Sequence, residues 1–225
     1  MKKLYPRVTL FLALAATALT GAQSAPPATQ PAAQPPRAPL ELITHVQQQL
    51  RNVETVQADF TQEKNLTMMK HKLVIRGNFA LQKPDKVMWN VRGPVKYAIK
   101  VMGDQVTQWD EDTNKVQTIN VGNDPTFKAI SQQLQSWFMG NYKDLENSYD
   151  VFLISQKPLT FRFGPKSGSV MSKVLSWIEV TFGPEEKNID RMQVREASGD
   201  VTAMVFSNTR LNQPVPAKTW EIPPR

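Results

Sequence analysis

The chain has 225 residues, a formal net charge of +7 and no cysteine. Without cysteine it has neither a disulfide framework nor a thiol that could carry a lipid anchor. Its basic residues are scattered and are not interleaved with aromatic residues, which argues against a nucleic-acid partner.

Residues 1–24 have the pattern of a secretory signal peptide. A basic start is followed by an apolar stretch from Val8 to Leu19 and by small residues that end at Ser24. The apolar stretch is shorter than the roughly 20 residues that a membrane-spanning helix needs. We therefore expect a cleaved signal, export to the periplasm and a mature protein without a membrane anchor.

Residues 25–39 consist almost entirely of Ala, Pro, Gln and Thr. Such a composition buries too little apolar area to fold and favours extended polyproline conformations. We predict a linker or tail here, followed by one domain over residues 40–225, which is an ordinary length for a single domain.

Two helices are predicted from apolar periodicity. Apolar residues recur at intervals of three and four between Leu40 and Val53, as in an amphipathic surface helix. A second helical pattern begins at the N-cap Asp124 and ends at Gly140.

The remaining periodic segments alternate between apolar and polar residues, which predicts strands. They are residues 56–61, 73–81, 86–91, 96–102, 105–110, 115–120, 149–155, 159–163, 174–182, 189–195, 201–207 and 218–222. Short turns between successive strands require antiparallel neighbours. About eleven such strands predict a strongly curved sheet or partial barrel, with helices closing its concave face.

The stretch from Gly77 to Pro94 places one cation at the edge of an apolar strand face. Period-two spacing puts Phe79, Leu81 and Lys83 on the same side of their strand. An unpaired ammonium is costly in apolar surroundings. Lys83 must therefore either reach solvent or meet oxygen acceptors.

The sequence contains no recognisable set of catalytic residues. His45 and His71 are predicted to be solvated surface residues, and no nucleophile elbow or phosphate-binding glycine loop occurs. Residues 110–121 begin like a calcium loop, but Lys115 and Val121 occupy the places of the required Gly and Glu. We therefore expect no enzyme activity, no catalytic residue, no metal and no cofactor.

Several short motifs occur in order along the predicted domain. They are Phe60-Thr61-Gln62, then Gly77, Phe79 and Lys83-Pro84, then Trp89 and Pro94, the hairpin from Gly103 to Asp110, and Asn212 ahead of Trp220-x-Ile222-Pro223. In this order and spacing, residues 40–224 resemble the periplasmic outer-membrane lipoprotein carrier protein family.

The resemblance implies an α+β fold in which an unclosed antiparallel β half-barrel of about eleven strands has helices forming a lid over an apolar cavity. Family members take triacylated lipoproteins from an inner-membrane ABC-type releasing complex and pass them to an outer-membrane receptor. By this resemblance we expect a carrier of acylated lipoprotein, acting as a monomer.

The resemblance also implies a role for Lys83. In the family this position is usually an arginine that holds the lid through backbone carbonyls. Lysine has three mobile donors instead of a planar fork of five, so we expect Lys83 to gate the lid with a weaker latch. A lysine that simply reaches past the turn into solvent is the alternative.

The acyl chains are expected to contact apolar residues of the strands and both helices. The predicted lipid-binding residues are Leu50, Val53, Phe60, Phe79, Leu81, Val87, Trp89, Val91, Ile99, Val101, Ile130, Leu134 and Phe138.

Two other functions remain open on the sequence. One is a carrier or accessory factor for another lipid client, such as a glycolipid or pigment-lipid, since residues 66–76 differ from the typical carrier pattern. The other is a periplasmic sensor that binds lipid or lipoprotein, although such sensors usually carry a second domain.

Overall fold

The structure is a computed structural model that describes residues 35–65, 72–122, 136–138, 140, 142–169 and 171–222. The predicted signal peptide and most of the predicted linker lie outside these residues. Among the described residues, no helix combines the length and apolar character needed to cross a bilayer.

Among the described residues, two α-helices have defined bounds. Helix α1 spans Leu40–Arg51, and α2 spans Tyr142–Glu146. Residues 136–138 are also helical, and Gly140 has a φ of +79°, which favours glycine. The rest of the second predicted helix, residues 124–135 and 139, lies outside the described residues. Helix α2 is only five residues long, too short for a periodic pattern to predict.

In the part of the chain that the structure describes, eleven strands form one antiparallel sheet, which confirms the predicted fold class. They are β1 (Thr55–Asn65), β2 (Leu73–Gln82), β3 (Lys86–Gly93), β4 (Tyr97–Met102), β5 (Gln105–Asp110), β6 (Lys115–Asn120), β7 (Tyr149–Gln156), β8 (Leu159–Pro165), β9 (Leu175–Phe182), β10 (Ile189–Glu196) and β11 (Val201–Leu211).

The strand order is β6-β5-β4-β3-β2-β1-β11-β10-β9-β8-β7. Two meanders, β1 to β6 and β7 to β11, are therefore joined by pairing of the first strand with the last. The sheet stays unclosed, with β6 and β7 as its outermost strands.

The predicted strand at residues 218–222 is wrong. Ala217–Trp220 form a short 3-10 turn instead. Trp220 and Ile222 pack against Ala80, Met88 and Ala98 on the sheet, and Lys100 Nζ donates to the carbonyl oxygen of Trp220 at 3.1 Å. The alternating apolar residues of this segment therefore cover the sheet without joining its ladder.

The two faces of the sheet have different partners. We call the inner face the one that carries Phe60, Phe79 and Trp89, because these residues share one buried apolar cluster with α1. The outer face is the opposite one, which the carboxy-terminal segment partly covers.

Helix α1 extends from the β7 edge to the start of β1. Before the helix, Ala38 N donates to Val151 O, and Leu153 N donates to Pro36 O, both at 2.9 Å. The folded part thus includes residues 36–38, which the composition had assigned to the linker. Along α1, apolar residues spaced by three and four are buried against the sheet: Ile43, Val46 and Leu50.

Candidate lipid-binding site

The inner face of β1 to β4 is a continuous apolar wall. Cross-strand partners in an antiparallel sheet point to the same side. Their register aligns Phe79 with Trp89 and Ile99, and in the next row Leu81 with Val87 and Val101. All eight predicted strand residues are buried on this wall: Phe60, Phe79, Leu81, Val87, Trp89, Val91, Ile99 and Val101.

The predicted site residues that the sequence assigned to helices divide into two groups, and one of them, Val53, lies just after the end of α1. Leu50, Val53 and Phe138 are buried in the same apolar cluster as the wall. Ile130 and Leu134 lie outside the described residues.

Aromatic side chains connect the wall to the helical segment. Phe60 stacks on Trp89 with ring centroids 4.1 Å apart. Phe138 lies 4.8 Å from Phe79 and 5.5 Å from Phe206, measured between ring centroids. Residues from β1, β2, β3, β11 and the helical segment therefore meet in one aromatic group.

Gly77 provides the space in which Phe60 lies. A Cβ atom at this position would overlap the Asn90 carbonyl oxygen and would come within 2.6 Å of Phe60 Cζ. Gly77 and Phe60 are also direct cross-strand partners. The Gly77 of the family-like motif thus permits the Phe60–Trp89 stack.

A narrow crevice, partly open to solvent, lies beside this aromatic group. Its apolar lining is Val56, Ala58, Phe79, Phe138, Ile189 and Phe206, and its polar lining is Lys187, Asn188 and Thr209. The wall residues outside this crevice are also buried in this state.

The second half of the inner face was not among the predicted site residues. The β8 to β11 side adds further buried apolar residues in register with the wall: Phe161, Phe163, Ile178, Val180, Met192, Val194, Met204 and Phe206. Trp137 packs on Phe163 with centroids 4.5 Å apart. The alternation of these strands carried the signal, but it does not say which side faces α1.

Lys83 lies at the carboxyl end of α1. Its Nζ donates to the Arg51 carbonyl oxygen at 2.9 Å and lies 3.3 Å from Glu54 Oε1. The side chain is 24% exposed. Of the two environments that the sequence left open, the structure shows contact with oxygen acceptors. A cation is favourable there because helix carbonyls carry partial negative charge at this end.

Asn212 holds the same junction from the other side. Its Oδ1 accepts from Glu54 N at 2.7 Å, and its Nδ2 donates to Asn52 O at 2.9 Å. Its φ of +55° lies in the left-handed region, which Asn tolerates better than most residues. The connection from α1 to β1 is therefore tied both to the β2–β3 turn and to the end of β11.

His45 is exposed at the surface, as predicted, and it also has a carboxylate partner. Its Nε2 lies 2.9 Å from Glu186 Oε2 in the β9–β10 turn, and its side chain is half exposed. This contact joins the middle of α1 to the second half of the sheet.

Known proteins resemble this chain over most of its length. Residues 51–223 match the family described as Outer membrane lipoprotein carrier protein LolA. The chain belongs to this family.

Two curated relatives carry the name Outer-membrane lipoprotein carrier protein. The one from Halorhodospira halophila is 27% identical over 77% of this chain and 77% of its own length. The one from Hahella chejuensis is 24% identical over 77% of this chain and 81% of its own. A LolA superfamily crystal structure from Nitrosomonas europaea aligns with a TM-score of 0.45 and 13% identity, covering 80% of this chain and 96% of the other.

Proposed function

We propose that this LolA-family protein is a periplasmic carrier that shields the acyl chains of lipoproteins and transfers them from the inner to the outer membrane. The observation that carries the proposal is the apolar inner face, which continues from β4 through β1 and β11 to β8 and packs against the amphipathic helix α1. Curved sheets with apolar interiors are suited to hold acyl chains.

A carrier must also release what it binds. Full burial of three chains of ~14 methylenes, at about 0.8 kcal/mol each, would yield on the order of 30 kcal/mol, which exceeds any reversible affinity. In the closed state the buried side chains of α1 occupy the wall. Displacing them exposes apolar surface again, and this cost offsets part of the gain from burying the chains.

Lys83 is proposed to set how easily α1 leaves the wall. Its ammonium contacts the last residue of the helix and the residue just before β1. Because lysine is a single point charge, these contacts are expected to break more readily than those of a bidentate arginine. The apolar residues of α1 and the strand residues of the wall are proposed to contact the chains directly.

The remaining expectations complete the proposal. Residues 1–24 act as a cleaved export signal, and residues 40–225 contain the carrier domain. The protein works as a monomer, receives its cargo from an inner-membrane ABC-type complex and delivers it to an outer-membrane receptor. The LolA family is a family of carriers, and no catalytic step is part of the proposal.

The direct test is mass spectrometry of lipid that copurifies with the protein expressed in its own host. The proposal expects acylated lipoprotein, recovered as its triacylated amino-terminal peptide. Recovery of a glycolipid or pigment-lipid in its place would assign the protein to another client and contradict the lipoprotein proposal.

A further inference from the structure

On the central strands β1, β11 and β10, the polar residues buried on the inner face lie at one end. Along β1 the inward residues change from Val56, Ala58 and Phe60 to Gln62 and Lys64. Strand β1 runs away from its junction with α1, so these last two residues lie at the far end, which we call the polar end. The polar end also includes Thr202 at the start of β11 and Glu196 at the end of β10.

A buried ion pair lies at the polar end. Lys64 Nζ is 2.8 Å from Glu196 Oε1, and the two side chains are only 9% and 8% exposed. Taking both charges out of water is costly, and apolar residues of similar size often serve stability equally well. An interior that only had to hold hydrocarbon would gain nothing from this pair.

Thr202 adds an unused hydrogen-bonding group beside the pair. It is the direct cross-strand partner of Lys64, so both side chains point to the inner face. Thr202 is 5% exposed, and its Oγ1 has no hydrogen-bond partner among the residues that the structure describes. A buried hydroxyl without a partner is destabilising unless a ligand completes it.

The opposite end of the inner face is apolar. There the cross-strand row of Leu81, Val87 and Val101 continues from Val56, and all four residues are buried. The inner face therefore has a direction, with hydrocarbon surface near the α1–β1 junction and hydrogen-bonding groups at the polar end.

We propose that this direction orients the cargo. The acyl chains lie toward the α1–β1 junction, and the ester or amide carbonyls that link the chains to the cargo accept hydrogen bonds from Thr202 Oγ1 and Lys64 Nζ. This inference rests on the proposed carrier function and adds a subsite to it.

The chemistry of the subsite selects a neutral acceptor. Lysine has three donors, and the contact with Glu196 uses one of them, while the threonine hydroxyl supplies another donor. Because Glu196 balances the charge of Lys64, the site has no excess positive charge to attract a phosphate. A carbonyl oxygen matches these donors without adding a buried charge.

Two probes of the same shape separate the subsite from the apolar wall. Dipalmitoylglycerol carries two ester carbonyls, whereas its diether analogue, dihexadecylglycerol, has the same chain length and no carbonyl. We expect the purified mature protein to bind the diester more tightly than the diether, with the affinities measured by competition against a fluorescent lipid.

The Thr202→Val variant removes the hydroxyl of the subsite and keeps the shape of the side chain. It should lower the affinity for the diester by about 2- to 10-fold, the value of one hydrogen bond, and leave the affinity for the diether unchanged. Its resistance to denaturant should stay the same or rise, because an unpartnered hydroxyl is removed. Lys64→Met combined with Glu196→Leu should have the same selective effect on binding.

A matched control is Thr160→Val. Thr160 is also a buried threonine, but its Oγ1 lies 3.2 Å from Pro158 O and 3.1 Å from Thr181 Oγ1, and its cross-strand partner Thr181 is not on the inner face. This variant should lose stability and keep both affinities.

Equal affinities of the wild-type protein for the two probes, or an equal loss of both in Thr202→Val, would overturn the subsite. In either case the carrier proposal would stand, because the apolar wall still binds both probes. Failure of the wild-type protein to bind either probe would instead contradict the proposed function itself.

Discussion

At the scale of single residues, Gly77 shows how one missing side chain shapes the inner face. The Gly77→Ala methyl group would overlap the backbone carbonyl of Asn90 and the ring of Phe60. Since a carbonyl in a central ladder cannot move aside cheaply, we expect a loss of about 1–3 kcal/mol in the free energy of unfolding. Urea denaturation measures it.

Gly93→Ala is the control for that substitution. Gly93 ends β3, and a Cβ atom there would have no heavy atom within 4 Å. We expect its unfolding midpoint to stay close to that of the wild type. If both alanine variants unfolded alike, the close packing of Phe60 over Gly77 would not be a determinant of stability.

Tyr97 makes the stability of the folded protein depend on pH. Burial raises the pKa of Tyr97 to about 12 from the ordinary 10.0, although a hydrogen bond with the Trp89 side chain lowers it in part. Between these two values the unfolded chain has released the phenol proton while the folded protein has kept it. The unfolded state then binds fewer protons, so stability falls as the pH rises through this interval.

Tyr97 alone should lower the free energy of unfolding by up to about 1.4 kcal/mol for each pH unit in this interval. Urea unfolding of the wild type and of Tyr97→Phe between about pH 9 and about pH 12 isolates it, because other alkaline titrations are common to both proteins. The difference in stability between the two proteins should narrow or reverse in favour of Tyr97→Phe as the pH rises. A difference that stays constant with pH would show that Tyr97 is not protected by burial.

At the scale of elements, the α1–β1 junction decides how α1 is held. Replacing Asn212 by Gly keeps a residue suited to positive φ but removes both side-chain bonds to residues 52 and 54. We expect the free energy of unfolding to fall by about 1–3 kcal/mol. Amide hydrogen exchange in α1 should become faster because the end of the helix is released.

Asn208→Gly is the matched control for the junction. Asn208 also has a positive φ, of +53°, but its side chain donates to Asp59 and does not reach α1. Its variant should leave exchange in α1 unchanged. Equal acceleration in both variants would mean that α1 responds to the whole sheet and that the Asn212 bonds do not hold it.

Lys83→Met tests the proposed gate in the same element. The methionine keeps an unbranched apolar stem and loses the donors to Arg51 O and Glu54 Oε1. We expect impaired transfer of acylated cargo to an acceptor membrane or receptor. Lys83→Arg, which keeps a cationic donor, should retain the contacts and the transfer. If Lys83→Met transferred cargo at the wild-type rate, Lys83 would hold the helix end without gating it.

The element scale also shows what sequence patterns can predict. Strands such as β2 and β5 were predicted within about one residue, since one face of each is buried and alternation follows from that. Residues 218–222 alternate equally well but lie on the outer face as a 3-10 turn and its continuation. Alternation records which side chains are buried and does not record whether the backbone joins a ladder.

At the scale of the whole molecule, the decisive contacts join distant parts of the chain. Pairing of β1 with β11 unites the two meanders, and Lys64 meets Glu196 across 132 residues of sequence. Local periodicity contains no information about such pairs. The half of the wall on β1 to β4 could therefore be predicted from its own alternation, whereas the polar end could not.

In the proposed carrier, acyl chains replace α1 on the inner face. The most direct measurement places a photo-crosslinking amino acid at Leu50, which is buried against the wall, and at Gln48, which is exposed on the same helix. Irradiation of living cells should join position 50 to acylated lipoproteins and should give far less of that product from position 48. Capture of only unacylated proteins, or equal capture of lipoproteins from both positions, would contradict the replacement of α1 by acyl chains.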